Sequence, residues 1–214
     1  MSASEIQSGD AVRLTRRTLL SHSVSAGTAA LVPLVNACSS PAGPQAVADH
    51  AVFTAEESAI LKAMTDRLIP ADELSPAASD CGVLVYINRA VSNWNQADLP
   101  LLKGALAGLD NHTLGAFNTG FANLTGSQQD QILEQMEAGE LDFPQAQAGF
   151  ARILRLTLEG MFSDPWYGGN REYAGWDLIG YPGAVLASSS DMQKMGGRLP
   201  ALHTSAYGAD HDGH

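Results

Sequence analysis

The chain has 214 residues, of which 45% are hydrophobic, and its formal net charge at pH 7 is -11. This length and hydrophobic content suit one compact domain and are too small for two large ones. The acidic balance argues against nucleic acid as a partner, because binding to phosphates needs a basic face and the sequence shows none.

Residues 1–37 are predicted to form an export signal. An arginine pair, Arg16 and Arg17, precedes a moderately apolar segment that is rich in Ala, Gly, Ser and Val. This segment is too short and too weakly apolar to anchor as a membrane-spanning helix. The pair resembles the twin-arginine type of signal, whose cargo usually folds before it crosses the membrane. The alternative is an amphipathic N-terminal helix that contains an arginine pair by chance.

The two cysteines raise separate questions. Cleavage after residue 37 would make Cys38 the first residue of the mature chain, as at a lipoprotein acylation site. Asn36 is unusual at such a site. Simple cleavage and acylation of Cys38 are therefore both alternatives. Residues 38–52 then form a linker by composition. Cys81 is the remaining thiol, for which burial and a disulfide to a partner subunit are the alternatives. Its position at the start of an apolar helix favours burial.

Residues 53–184 are predicted to fold as an all-α body. The letters TAEE at residues 54–57 fit a capping box that opens the first helix, and Pro70 ends it. Further helices are predicted over residues 81–91, from Asp98 as an aspartate cap through Leu109, after residue 127 with Gly139 as the stop, and over residues 143–162 as the most apolar, central helix. No strand alternation of useful length is present, so we expect a small irregular helical bundle.

Familiar chemical motifs are missing or weak. No Gly-rich turn lies between a strand and a helix, and the two cysteines are too far apart to attach a c-type haem. Four carboxylates lie within or just before residues 163–184, namely Glu159, Asp164, Glu172 and Asp177. A carboxylate pair beside aromatic rings is the arrangement of a glycosidase. The stronger interpretation is local: Asp164 caps a turn and Glu159 pairs with Arg155.

Residues 163–184, SDPWYGGNREYAGWDLIGYPGA, form what we call the aromatic segment. It has no helical or strand period, so no regular element is predicted in it. Disordered segments are poor in aromatic residues, so this one is expected to be packed. Its rings either fold back over the bundle or anchor a protein interface, where tryptophan and tyrosine concentrate, and both can hold together. Its glycines allow tight turns and close approach to another surface.

The letters EGMFSDPWYGGN at residues 159–170, with GW at 175–176 and IGYPGA at 179–184, resemble the gluconate 2-dehydrogenase subunit 3 family. The letters LIPAD at 68–72, GVLVYI at 82–87 and QQ at 128–129 occur in similar order there, so the resemblance covers roughly residues 53–184. It implies a non-catalytic small subunit without its own cofactor. Its partners would be a large FAD-containing subunit that oxidises a sugar, sugar acid or polyol, and in some complexes a multihaem cytochrome c.

The resemblance also implies a location and an interface. The export signal of the small subunit would carry the flavoprotein through the twin-arginine translocase, so the complex would be periplasmic and associated with the membrane. Outside the resemblance, the tail at residues 185–214 has weak helical signals and is expected to wrap the partner or to stay mobile. The residues predicted to form the interface with the flavoprotein are Asp164, Pro165, Trp166, Tyr167, Gly168, Gly169, Asn170, Trp176, Tyr181 and Pro182. The alternative function is a stand-alone periplasmic lipoprotein that binds or hydrolyses a sugar.

Overall fold

The structure, a computed structural model, describes residues 51–185, 187, 190, 192 and 199–208. The predicted export signal at residues 1–37 and Cys38 lie outside these residues. Within them the chain contains six α-helices and no strand, which confirms the all-α prediction. The helices are α1 (Ala55–Leu68), α2 (Val83–Ser92), α3 (Leu99–Phe117), α4 (Gly126–Ala138), α5 (Ala146–Phe162) and α6 (Ala174–Ile179).

Helix α5 is the centre of the bundle, because it packs against α1, α2, α3 and α4. Ile153 and Met161 on α5 are fully buried. The neighbouring helices contribute Met64, Ile87, Leu106 and Met136, which are equally buried. Burial of these apolar side chains is the main favourable contribution to folding. The sequence had already indicated α5 as the central helix.

The helix ends follow local chemistry at two of the predicted caps. The Thr54 hydroxyl accepts from the Glu57 amide at 3.2 Å, and the Glu57 carboxylate accepts from the Thr54 amide at 2.9 Å. This is the predicted capping box. Helix α4 ends at Gly139, whose φ of 74° is the left-handed conformation of a C-cap.

The predicted aspartate cap of α3 is wrong. Asp98 has φ -82° and ψ -20°, because it is also the last residue of a 3₁₀ helix, Gln96–Asp98. A side-chain cap needs an extended backbone, so the carboxylate does not reach the first-turn amides. It accepts instead from Arg152 Nε on α5 at 2.7 Å, and so ties the start of α3 to the central helix.

The aromatic segment contains regular structure that the sequence did not predict. It holds two 3₁₀ helices, Pro165–Tyr167 and Arg171–Tyr173, and the short helix α6. Helix α6 has six residues, fewer than two turns, so it shows no readable periodicity. Left-handed backbone at Tyr173 and Gly180 begins and ends it.

Candidate functional site

The aromatic segment begins with a turn built on Asp164. Its Oδ1 accepts from the Trp166 amide at 3.0 Å, which confirms the predicted turn cap. The same carboxylate accepts from the Ser205 hydroxyl at 2.7 Å and from the Ala206 amide at 2.8 Å. Asp164 therefore joins the segment to residues 199–208 of the tail.

Two glycines bring the segment into direct contact with helix α5. A Cβ added at Gly169 would lie 2.0 Å from the carbonyl oxygen of Gly160, and one added at Gly175 would lie 1.8 Å from that of Met161. No side chain fits at such distances. The close approach that the glycines predicted is thus made to the chain's own central helix.

Asn170 is a buried residue whose side chain bonds to the backbone of the segment. It is fully buried and has a left-handed backbone, with φ of 48°. Its amide Nδ2 donates to the Ser163 carbonyl at 2.8 Å, and its Oδ1 accepts from the Gly175 amide at 2.8 Å. Each bond satisfies a backbone group at a turn where no helix partner exists. The structure places Asn170 inside the subunit, so it shapes the predicted interface without being exposed there.

The two tryptophans of the segment point to different environments. Trp176 is only 4% exposed, and its indole Nε1 donates to the Phe162 carbonyl at the end of α5, at 3.0 Å. Its ring packs edge-to-face on Tyr181, with centroids 4.8 Å apart. Trp166 stays partly exposed. Trp176 is thus part of the packing of the chain, and Trp166 is available at the surface.

Trp166, Tyr167 and Tyr207 form what we call the outer aromatic patch. The Trp166 ring lies 4.9 Å from that of Tyr167 and 4.6 Å from that of Tyr207. The two tyrosine hydroxyls lie 2.8 Å apart, and this hydrogen bond, with partial burial, raises the pKa of Tyr167 to about 12. The patch is therefore a preformed cluster of rings at the surface.

Part of the tail lies along the segment. The Ala184 amide donates to the Thr204 carbonyl and the Leu202 amide to the Pro182 carbonyl, both at 2.7 Å. The His203 ring stacks on Tyr173 with centroids 4.6 Å apart. Sequence reasoning missed Tyr207 as a surface ring, because the ring gains its position only through contacts with the segment 40 residues earlier.

Three of the four carboxylates in or beside the segment, Glu159, Asp164 and Asp177, have structural partners. Glu159 accepts from Arg155 Nε at 2.8 Å, as predicted, and from the Tyr86 hydroxyl at 3.1 Å. Burial and then the Glu159 charge raise the pKa of Tyr86, which keeps this phenol protonated as a donor. Asp177 lies 2.8 Å from His203 Nε2. Within the described residues no three His, Cys, Asp or Glu side chains are grouped as metal ligands would be.

Cys81 lies just before α2 with 1% of its surface exposed, and burial raises the pKa of its thiol. A thiol in this position is shielded from thiolate exchange. Burial is therefore the alternative that the structure favours for Cys81. A disulfide to a partner subunit would require local opening around it.

Comparison with known proteins gives a family. The family described as Gluconate 2-dehydrogenase subunit 3 matches residues 55–183, which contain all six helices and the whole aromatic segment except its last residue. No curated protein and no solved structure matches the chain. Among the described residues, no helix has the length and apolarity to cross a membrane. The match takes in more than half of the sequence, and the chain belongs to the gluconate 2-dehydrogenase subunit 3 family.

Proposed function

We propose that this chain is the non-catalytic small subunit of an FAD-dependent sugar, sugar-acid or polyol dehydrogenase. In this role it assists the folding, assembly and twin-arginine export of the flavoprotein subunit. Membership of the family supports an accessory role, since the family's name describes a subunit of a gluconate dehydrogenase. The arginine pair, Arg16 and Arg17, supports export of a prefolded complex.

The observation that carries the proposal is the outer aromatic patch. Tyr207 is 41% exposed although it makes two ring contacts and a hydroxyl contact, so its position is set before any partner arrives. Tryptophan and tyrosine that are rigid and partly exposed are the residues that contribute most to protein interfaces. Ordering them in advance lowers the entropy that association costs. We infer that this patch contacts the flavoprotein.

The proposal also assigns the other parts of the complex. The flavoprotein holds the FAD, and this chain holds no cofactor. The complex is periplasmic and associates with the membrane through a cytochrome c subunit, through a lipid on Cys38, or through both. The tail contributes to the contact through Tyr207, which is held on the segment by the bonds to Asp164.

The test is capture of the flavoprotein by the tagged full chain from the periplasmic fraction of cells that make both. We expect a large subunit in stoichiometric amount, flavin absorbance in the eluate and sugar-dependent dye reduction. Trp166→Ala combined with Tyr207→Ala should weaken the complex at least about tenfold, because two interface anchors are lost. The matched control is Phe117→Ala, which removes an exposed ring on α3 away from the patch.

Trp176 is left unchanged in this experiment, because the loss of its buried ring would disturb the fold itself. Unfolding curves of each variant separate loss of folding from loss of binding. Capture by the double variant at the wild-type level would contradict the assignment of the patch. A colourless single chain in the eluate, with no flavoprotein, would contradict the proposed function as a whole.

A further inference from the structure

A second surface feature lies beside the outer aromatic patch. It is a cleft of about 520 Å³ between the end of α2 and the last turns of α5, and it opens to solvent. Its lining residues are Tyr86, Trp94, Asn95, Glu159, Ser163 and Tyr167. This volume lies in the range of small-molecule sites, which combine apolar or aromatic walls with a few polar groups.

The walls of the cleft are aromatic rings in fixed positions. Trp94 packs edge-to-face on Tyr86, with centroids 6.0 Å apart, and on Tyr167, with centroids 5.4 Å apart. Yet 42% of the Trp94 surface remains exposed. A tryptophan that is held by two rings and still exposed presents a flat apolar surface at no further cost in side-chain entropy.

The polar groups of the cleft are arranged to accept and donate hydrogen bonds. The Glu159 carboxylate is oriented by Tyr86 and Arg155, and each of its oxygens keeps acceptor capacity beyond the one bond it makes. The Ser163 hydroxyl is shielded from solvent and has no hydrogen-bond partner among the described residues. The Asn95 side chain likewise makes no hydrogen bond within the part of the chain that the structure describes.

This combination of groups selects a class of ligand. A purely apolar molecule would cover Glu159 and Asn95 without replacing their hydrogen bonds to water, which is unfavourable. A phosphorylated or carboxylated molecule would meet the negative charge of Glu159 in a chain that is already acidic. A neutral molecule that combines a flat C–H face with several hydroxyl groups satisfies both the rings and the polar groups.

We propose that this cleft binds a neutral pyranose. The C–H face of the sugar ring stacks on Trp94, and its hydroxyls donate to Glu159 and exchange hydrogen bonds with Asn95. The site adjoins the proposed flavoprotein interface, since Tyr167 belongs to both the cleft and the outer aromatic patch. The variants that test it, at Trp94 and Glu159, lie outside that patch.

The test is titration of the purified full chain with D-glucose, followed by calorimetry and by tryptophan fluorescence. D-sorbitol is the matched ligand, because it carries the hydroxyls on an open chain without the flat ring face. We expect saturable binding of glucose and weaker binding of sorbitol. Trp94→Ala should weaken glucose binding at least about tenfold, since it removes the stacking surface. Glu159→Gln, which keeps the size of the side chain, should weaken it several-fold.

Phe117→Ala, with its exposed ring elsewhere on α3, should bind glucose as the wild type does. If circular dichroism shows that Trp94→Ala or Glu159→Gln does not fold, Asn95→Ala is used in its place. This substitution should leave the fold intact, because the Asn95 side chain makes no hydrogen bond within the described residues. Absence of saturable glucose binding, or equal binding by all folded variants, would overturn the inference. If the wild type binds no sugar and Trp94→Ala loses capture of the flavoprotein, the inference is overturned. Trp94 would then be an anchor of the protein interface.

Discussion

At the scale of single residues, Asn170 shows how a buried side chain can shape the proposed interface without being exposed there. A fully buried amide that bonds three backbone groups of one segment fixes the path of that segment. Its left-handed backbone adds a second requirement, since asparagine tolerates positive φ better than most residues. The exposed rings on either side depend on this buried residue for their positions.

We therefore predict that Asn170→Ala lowers the free energy of unfolding by about 3 kcal/mol. The variant leaves the Ser163 carbonyl and the Gly175 amide without partners, at about 1–3 kcal/mol each, and alanine is strained at this φ. Urea unfolding followed by circular dichroism measures the loss. The control is Asn123→Ala, an exposed asparagine for which we expect a change below about 0.5 kcal/mol. Equal losses in the two variants would contradict the role given to Asn170.

At the scale of elements, the aromatic segment is held against α5 by backbone contact. Gly169 and Gly175 rest on the carbonyl oxygens of the last turn of α5, and Trp176 donates to the same helix end. The last carbonyls of a helix have no partner within it, so a following segment that packs there covers them. Because the segment follows α5 directly in the chain, it is placed to pack on this helix end.

A methyl group at either glycine tests this contact. Gly169→Ala and Gly175→Ala should each lower the unfolding free energy by about 2 kcal/mol or more, because the neighbouring atoms are backbone and must shift. Gly115→Ala is the matched control: it lies on α3 with open space around it, so alanine should stabilise the helix by about 0.5–1 kcal/mol. Thermal unfolding midpoints measure all three. A midpoint for Gly175→Ala as high as that of Gly115→Ala would show that the segment is not pressed against α5.

At the scale of the whole molecule, charged pairs join helices that are far apart in the chain. Arg67 on α1 makes two parallel hydrogen bonds to Asp130 on α4, both at 2.6 Å. Two parallel hydrogen bonds of this kind are the strongest arrangement of an arginine–carboxylate ion pair. The hydrogen bonds from Arg67 lower the pKa of Asp130 below its usual value of 3.8. Both side chains are partly exposed, so solvent screening limits the stabilisation to at most about 1 kcal/mol.

The sign of the pH dependence follows from the lowered pKa of Asp130. The folded state binds its proton less tightly than the unfolded state does, so the pair stabilises the fold above pH 3.8 and this stabilisation is lost as the pH falls through the folded-state pKa. Asp130→Asn should therefore be less stable than the wild type at pH 7, and the difference should shrink below pH 3.8. Unfolding free energies across this range measure it. Asp142→Asn, at another exposed aspartate, is the control; an Asp130→Asn difference that stays constant with pH would contradict the pairing.

The sequence by itself determined the all-α class, the capping box at Thr54, the stop at Gly139, the turn at Asp164 and the family. These features rest on contacts between residues two to four positions apart, or on a run of letters, so they can be read without knowing the fold. Burial of Cys81 was favoured for a similar reason, since its apolar neighbours in the chain are also its neighbours in the core.

Only the tertiary structure decided which rings are buried and which are exposed. Trp166 and Trp176 lie in the same aromatic segment, yet one is partly exposed and the other packs on the end of α5. Tyr207 belongs to the outer aromatic patch, and Asp98 pairs with Arg152 instead of capping α3. Both result from contacts between residues at least 40 positions apart. Such contacts depend on how the helices pack, and no local pattern records them.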